Sequence, residues 1–132
     1  MYRQIVLDHF SNPRNVGEIE NPDGYAQAES SACGDIIEVY IRVENGHLED
    51  IKYRTFGCAA AIASSSFASE LVTGASLDTV MGITDAEIAD QLGLPEFKYH
   101  CSVMVMQALH RAIEQYYAKH SEADQPPSTA SD

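Results

Sequence analysis

The sequence predicts an α+β domain: a three-stranded antiparallel sheet with helices packed on one face, a short N-terminal helix and a long C-terminal helix. Three observations predict it. Residues 35–44 and 48–56 alternate apolar and polar side chains on either side of Asn45-Gly46, the residue pair that a type I′ hairpin turn favours. Beyond Gly57 the apolar residues recur at helical rather than strand spacing. Strands therefore precede helices without the alternation that a parallel sheet needs.

Taken in order, residues 2–10 place Ile5, Val6 and His9 or Phe10 at helical spacing, and Asn12-Pro13 stops that helix because proline disfavours helical geometry in the residue before it. Residues 12–23 hold two Asn-Pro steps with Gly17 close by, and Gly24 follows them, which reads as a surface loop. Residues 24–30 alternate more weakly and add a first strand. In the hairpin, Ile37, Val39, Ile41 and Val43 oppose Glu38, Arg42 and Glu44, and Ile51, Tyr53 and Thr55 oppose Lys52 and Arg54. Residues 58–72 form a helix whose Ala and Ser side chains let it approach a sheet closely, with Gly74 placed to end it. A short helical turn over 76–81 follows. Thr84-Asp85-Ala86-Glu87 then has the pattern of a capping box, opening a helix that ends at Gly93 before Leu94-Pro95 breaks the chain. Over residues 102–120, Val105, Leu109, Ala112, Ile113 and Tyr116 share one face of the long helix that covers the sheet, with Arg111, Glu114, Gln115 and Lys119 elsewhere. Residues 121–132 are polar, hold two prolines and are expected to be disordered, leaving residues 1–120 as a single domain.

A chain of 132 residues with 45% apolar composition can build its own core, so size alone does not demand a metal or a disulfide. Twenty acidic against eight basic residues give a net charge of −12, which repels phosphate backbones and argues against nucleic acid or an anionic membrane as a partner. The longest apolar run, residues 58–63, falls far short of the ~20 residues that span a bilayer. With no apolar leader at its N-terminus the chain is expected to be cytoplasmic.

The cysteines are Cys33, Cys58 and Cys101, an odd number that does not suggest a disulfide framework. Any one of them could be a small buried hydrophobe. All three, however, fall at junctions: Cys33 ahead of the first hairpin strand, Cys58 where the hairpin leaves into a helix, Cys101 ahead of the last helix. If that helix packs where the hairpin ends converge, the thiols meet at one end of the sheet. Cys58 stands at a helix N-terminus, which favours a thiolate, and Lys98 lies three residues before Cys101, where it can bring a cation to that sulfur. Gly34 and Gly57 flank two of the cysteines and permit close approach or positive φ. Asp35 and His100 are the non-sulfur candidates for the fourth ligand that three thiolates lack. His9, His47, His110 and His120 read as surface or packing residues. The short C-x-x-C spacing is absent, so spacing alone leaves open a cluster site, a zinc-bound sulfur acceptor, or a Cys-His hydrolase built on Cys101.

Longer motifs narrow this. Asn12-Pro13-Arg14-Asn15-Val16-Gly17, Ala32-Cys33-Gly34-Asp35, Thr55-Phe56-Gly57-Cys58 with Ala61-Ile62-Ala63-Ser64-Ser65-Ser66, and Lys98-Tyr99-His100-Cys101-Ser102 together resemble the U-type iron-sulfur cluster assembly scaffold proteins, in order, from about residue 2 to residue 117. The resemblance implies a scaffold and carrier rather than an enzyme. On it a labile [2Fe-2S] cluster is assembled from iron and sulfur and then transferred to recipient apo-proteins. It implies Cys33, Cys58 and Cys101 as sulfur ligands, with Asp35 and His100 competing for the fourth position and zinc able to occupy the metal-free site. A carboxylate or imidazole matches a thiolate-rich iron site less well than a fourth cysteine, which suits a cluster that must leave. A cysteine desulfurase is implied as sulfur donor with Cys101 as persulfide acceptor, a frataxin-type protein and a ferredoxin as assembly partners, and Tyr2 as a self-association residue. Members served by a dedicated Hsp70 chaperone carry Leu-Pro-Pro-Val-Lys. Here the segment is Leu94-Pro95-Glu96-Phe97-Lys98, and Glu96 and Phe97 argue against that chaperone. Variants that bind zinc tightly and relay sulfur carry an insertion before the last cysteine and lack the adjacent histidine, whereas this chain has His100 and no such insertion.

Overall fold

A computed structural model of the chain describes residues 3–30 and 34–124. The elements run α1 (Gln4–Ser11), β1 (Gly24–Ser30), β2 (Asp35–Glu44), β3 (His47–Phe56), α2 (Ala59–Val72), α3 (Leu77–Met81), α4 (Asp85–Leu92), a 3-10 turn (Glu96–Lys98) and α5 (Tyr99–Asp124). The three strands form one antiparallel sheet in the order β1-β2-β3. Asn45 and Gly46 take φ of 53° and 76°, the left-handed values of the expected hairpin turn.

Val39 pairs with Tyr53 and Ile41 with Ile51, so the buried faces of β2 and β3 coincide. One irregularity adjusts the expected alternation. Arg42 pairs with Asp50 and Val43 with Leu48, leaving Glu49 as an extra residue. This bulge puts Leu48 and Ile51, an odd spacing, on the same inner face, and Val43 is only half-buried.

The helices cover one face of the sheet. α5 lies across β1 and β2 while α2 lies against β3, α1 packs on α2, and α4 packs on α5. Close packing sets the residue choices at these contacts. A Cβ at Gly24 would strike the carbonyl of Ala112, so the β1–α5 approach requires glycine there. α2 buries Ala60, Ala61, Ala63 and Ala68 together with Ser64, Ser65, Ser66 and Ser69. Ser65 Oγ donates to the Ala61 carbonyl at 2.8 Å and Ser69 Oγ to that of Ser66 at 2.7 Å, which satisfies hydroxyls that would be costly to bury bare.

On α1, Val6 and His9 face inward while Leu7 and Phe10 are exposed. His9, read from sequence as a surface or packing residue, is a buried one. Its Nδ1 lies 2.6 Å from Ser66 Oγ, and its ring meets Phe67 edge-on. Arg14, from the loop after α1, bonds Asp8 at 2.8 Å and faces Glu70 at 3.6 Å. These contacts fasten α1 to α2. The loop itself borders β3: Gly17 N donates to the Tyr53 carbonyl and Tyr53 N to that of Asn15, covering an edge that would otherwise offer free backbone groups.

The capping box forms as expected, with Thr84 and Glu87 each bonding the other's backbone and Gly93 ending α4 at φ 68°. The last helix differs from expectation at both ends. It begins at Tyr99 rather than near Ser102, because the 3-10 turn closes with Lys98 N on the Pro95 carbonyl and nothing after Pro95 interrupts the helix. Cys101 therefore lies inside α5, not ahead of it. The helix also runs to Asp124, so residues 121–124 are helical; residues 125–132 of the expected tail lie outside the described residues, as does Tyr2. No helix among the described residues is long and apolar enough to cross a membrane.

Candidate metal centre

Asp35 is the first residue of β2, Cys58 is the N-cap of α2, and Cys101 lies in the first turn of α5. Strand pairing brings the first two together. Ile36 pairs with Phe56, so the chain leaving β3 through Gly57 passes beside Asp35. A Cβ on Gly57 would come within 2.6 Å of Asp35 Cγ, so the missing side chain is what allows the approach. α5, lying across β1 and β2, delivers Cys101 to the same end of the sheet. One ligand atom from each of Asp35, Cys58 and Cys101 lies within 4.8 Å of the others. The Cys58 thiol donates to Asp35 Oδ2 at 3.7 Å, and the two sulfurs are 3.8 Å apart.

The remaining expected site residues divide. His100 Nε2 is 3.7 Å from Cys101 Sγ, yet His100 is not part of the mutually close group formed by Asp35, Cys58 and Cys101. Adjacent side chains diverge on extended backbone, but these two lie on a helical turn and remain in contact. Gly34 takes φ 72°, a left-handed conformation that lets the chain turn into Asp35. Gly57 does not need positive φ; close approach is its role. Cys33 lies outside the described residues. Lys98 was expected beside Cys101. Its Nζ donates to Cys58 Sγ at 3.5 Å, and from there the ammonium also acts on the Cys101 thiol, as expected.

Burial pushes the Cys101 thiol up to about 12, reinforced by Cys58 and Asp35 and opposed by Lys98. Cys101 is 1% exposed and holds its proton at neutral pH without a metal. A nucleophilic cysteine needs the reverse, an accessible thiolate, so this geometry argues against the Cys-His hydrolase. A metal ion held by Asp35, Cys58 and Cys101 would supply positive charge beside the Cys101 thiol and so favour loss of its proton. Sequence reasoning found every described member of the cluster. What it missed was the sulfur to which Lys98 attaches and the helical setting of His100 and Cys101.

Comparison with known proteins identifies relatives of the whole chain. The family described as "NifU-like N terminal domain" matches residues 1–123. The chain is 47% identical over 125 residues to the iron-sulfur cluster assembly scaffold protein IscU 1 of Archaeoglobus fulgidus, covering 94% of this chain and 82% of the relative. It is 43% identical over 122 residues to the scaffold protein IscU of Escherichia coli, covering 89% of this chain and 95% of the relative. Among solved structures, the N-terminal NifU-like protein from Brucella abortus shares the fold with a TM-score of 0.74 at 23% identity, covering 89% of this chain and 94% of that one. With these matches running almost the whole length of the chain, and with Asp35, Cys58 and Cys101 brought together as the motifs imply, the chain belongs to the NifU-like N-terminal domain family.

Proposed function

We propose that this chain is a scaffold on which a labile [2Fe-2S] cluster is assembled from iron and sulfur and from which it passes to recipient apo-proteins. The observation that carries the reading is the convergence of Asp35, Cys58 and Cys101, within 4.8 Å, from the ends of three different elements. Each element is anchored in the core, so the ligand atoms are brought together by the whole fold. Cys33 supplies the third sulfur. Asp35 is better placed than His100 for the fourth position, since it faces both described sulfurs while His100 lies against Cys101. A hard carboxylate among soft thiolates binds iron less firmly than a fourth cysteine, which favours release.

In this reading a cysteine desulfurase delivers sulfur as a persulfide and Cys101 accepts it. Because Cys101 is buried and keeps its proton, accepting that sulfur requires the site to open and the thiol to ionise. A frataxin-type protein and a ferredoxin assist assembly in the cytoplasm, and Glu96 and Phe97 weigh against the Hsp70 chaperone. Zinc occupies the thiolate site when iron is absent. The protein contributes ligands and enclosure, not turnover.

Anaerobic reconstitution with ferrous iron, cysteine and a desulfurase, followed by absorption and Mössbauer spectra, tests the reading. The expected product is a [2Fe-2S] cluster that moves to an added apo-ferredoxin and does not form on Cys33→Ser, Cys58→Ser or Cys101→Ser. A persulfide on Cys101 with zinc retained and no cluster would replace this reading with that of a zinc-bound sulfur relay.

A further inference from the structure

Lys98 ends the 3-10 turn between α4 and α5, and the backbone on both sides of it is fixed. Lys98 N bonds the Pro95 carbonyl at 2.8 Å, and Tyr99 is already the first residue of α5. From this position Nζ reaches Cys58 Sγ at 3.5 Å. The same ammonium lies 5.9 Å from the centre of the Phe97 ring, within the range of a cation–π contact. Phe97 is one of the residues by which this segment departs from Leu-Pro-Pro-Val-Lys. Phe97 is 73% exposed, so it adds little to the core, and its described contact is with the lysine.

Resting on the scaffold reading above, we propose that Lys98, held by the Phe97 ring, is a positioning residue. It donates an N–H···S hydrogen bond to the Cys58 sulfur that persists when metal is bound and sets the reduction potential of the assembled cluster. A site of three thiolates and a carboxylate carries four negative charges, which a [2Fe-2S]²⁺ core only half offsets. Adding an electron increases that excess. An ammonium donating to a ligand sulfur withdraws electron density from it and favours the reduced state, and hydrogen bonds to sulfur are among the general determinants of cluster potentials. No bond is made or broken in this role. Lys98 acts through the sulfur to which it donates.

The test compares wild type with Lys98→Met, Lys98→Arg and Phe97→Leu in two measurements. In the first, each protein is reconstituted and its cluster titrated by spectroelectrochemistry. Lys98→Met is expected to lower the reduced-to-oxidised ratio at fixed poise about tenfold, a shift of about 59 mV to more negative potential for one electron. Lys98→Arg restores most of the shift, and Phe97→Leu gives a smaller shift in the same direction. In the second, cobalt(II) is titrated into each metal-free protein, and loss of the hydrogen bond moves the thiolate-to-cobalt charge-transfer band to lower energy in Lys98→Met. A Lys98→Met protein with the wild-type potential and the wild-type cobalt spectrum overturns the role of Lys98 and leaves the scaffold intact. Should Lys98→Met hold no cluster, the cobalt band decides: a shift supports the role and an unshifted band overturns it. If no cluster forms even on wild type but the cobalt band shifts, the scaffold reading fails while Lys98 remains a donor to Cys58.

Discussion

At Gly57 the absence of a side chain is a condition of the site. Asp35 is short and buried, so a methyl group at position 57 cannot be accommodated by a small side-chain shift; the carboxylate must turn away from Cys58. Gly57→Ala is therefore expected to cost about 1–3 kcal/mol of stability, as overpacking does, and to weaken cobalt binding about tenfold by displacing a ligand. A thermal melt of the metal-free protein and a cobalt titration check both, and wild-type values in the two would show that Asp35 is not held by this contact. Tyr53 gives a prediction on the alkaline side. Burial pushes its hydroxyl up from 10.0 to about 12, against smaller lowering effects of Ser66 and Arg14. The folded state keeps the proton that the unfolded chain surrenders, so the stability associated with Tyr53 is complete below pH 10 and is lost as pH rises from 10 towards 12. A rise of this size corresponds to about 2–3 kcal/mol. Tyr53→Phe is expected to flatten the stability profile in this window by that amount, as urea denaturation at a series of pH values would show. Tyr25, also raised to about 12, remains in both proteins and cancels in the comparison.

Among the elements, α4 shows how local sequence and tertiary position cooperate. Thr84 and Glu87 satisfy each other's backbone N–H groups, and Ile88, Ala89 and Leu92 turn into the core against α5. Thr84→Ala removes one capping bond and is expected to destabilise the protein by about 1 kcal/mol. Urea denaturation with an unchanged slope checks it. Cluster assembly should be unaffected, since the cap is not among the site residues; a large loss of cluster instead would show that α4 helps to hold the 3-10 turn beyond it. α5 illustrates the opposite case. Its outer stretch was readable from apolar spacing, but its first turn was not, because Tyr99, His100 and Cys101 carry no periodic signal of their own. They are helical because the turn at Glu96–Lys98 leads directly into the longer helix.

Over the whole molecule, the site draws on β2, α2 and α5, so metal affinity and stability are linked. At a free zinc or cobalt concentration one hundred times the dissociation constant, the fold should gain about 2.7 kcal/mol. A chelator should remove that gain. Amide exchange around Asp35, Cys58 and Cys101 is expected to slow when metal binds, and identical exchange with and without metal would show that the site is rigid before binding. The acidic surface, with its net charge of −12, favours basic partners on encounter. Their association rates should fall with salt, while metal affinity at the buried site should respond much less.

The amino-acid sequence by itself determined the order of the elements, the hairpin turn, the capping box and the identity of the ligand candidates. These depend on local chemistry: the positive φ of Asn45 and Gly46, the reach of Thr84 to Glu87, the alternation along β2. Long motifs in fixed order added the family, which spacing between the cysteines did not supply. Tertiary structure decided what depends on distance between remote residues. It placed Asp35 beside Gly57 through strand register, buried Cys101 so that its thiol keeps its proton, turned His9 inward onto Ser66, and gave Lys98 a hydrogen bond to Cys58. Sequence separation carries no information about such contacts, because they are fixed by how β2, α2 and α5 pack against one another and not by any residue's own preference.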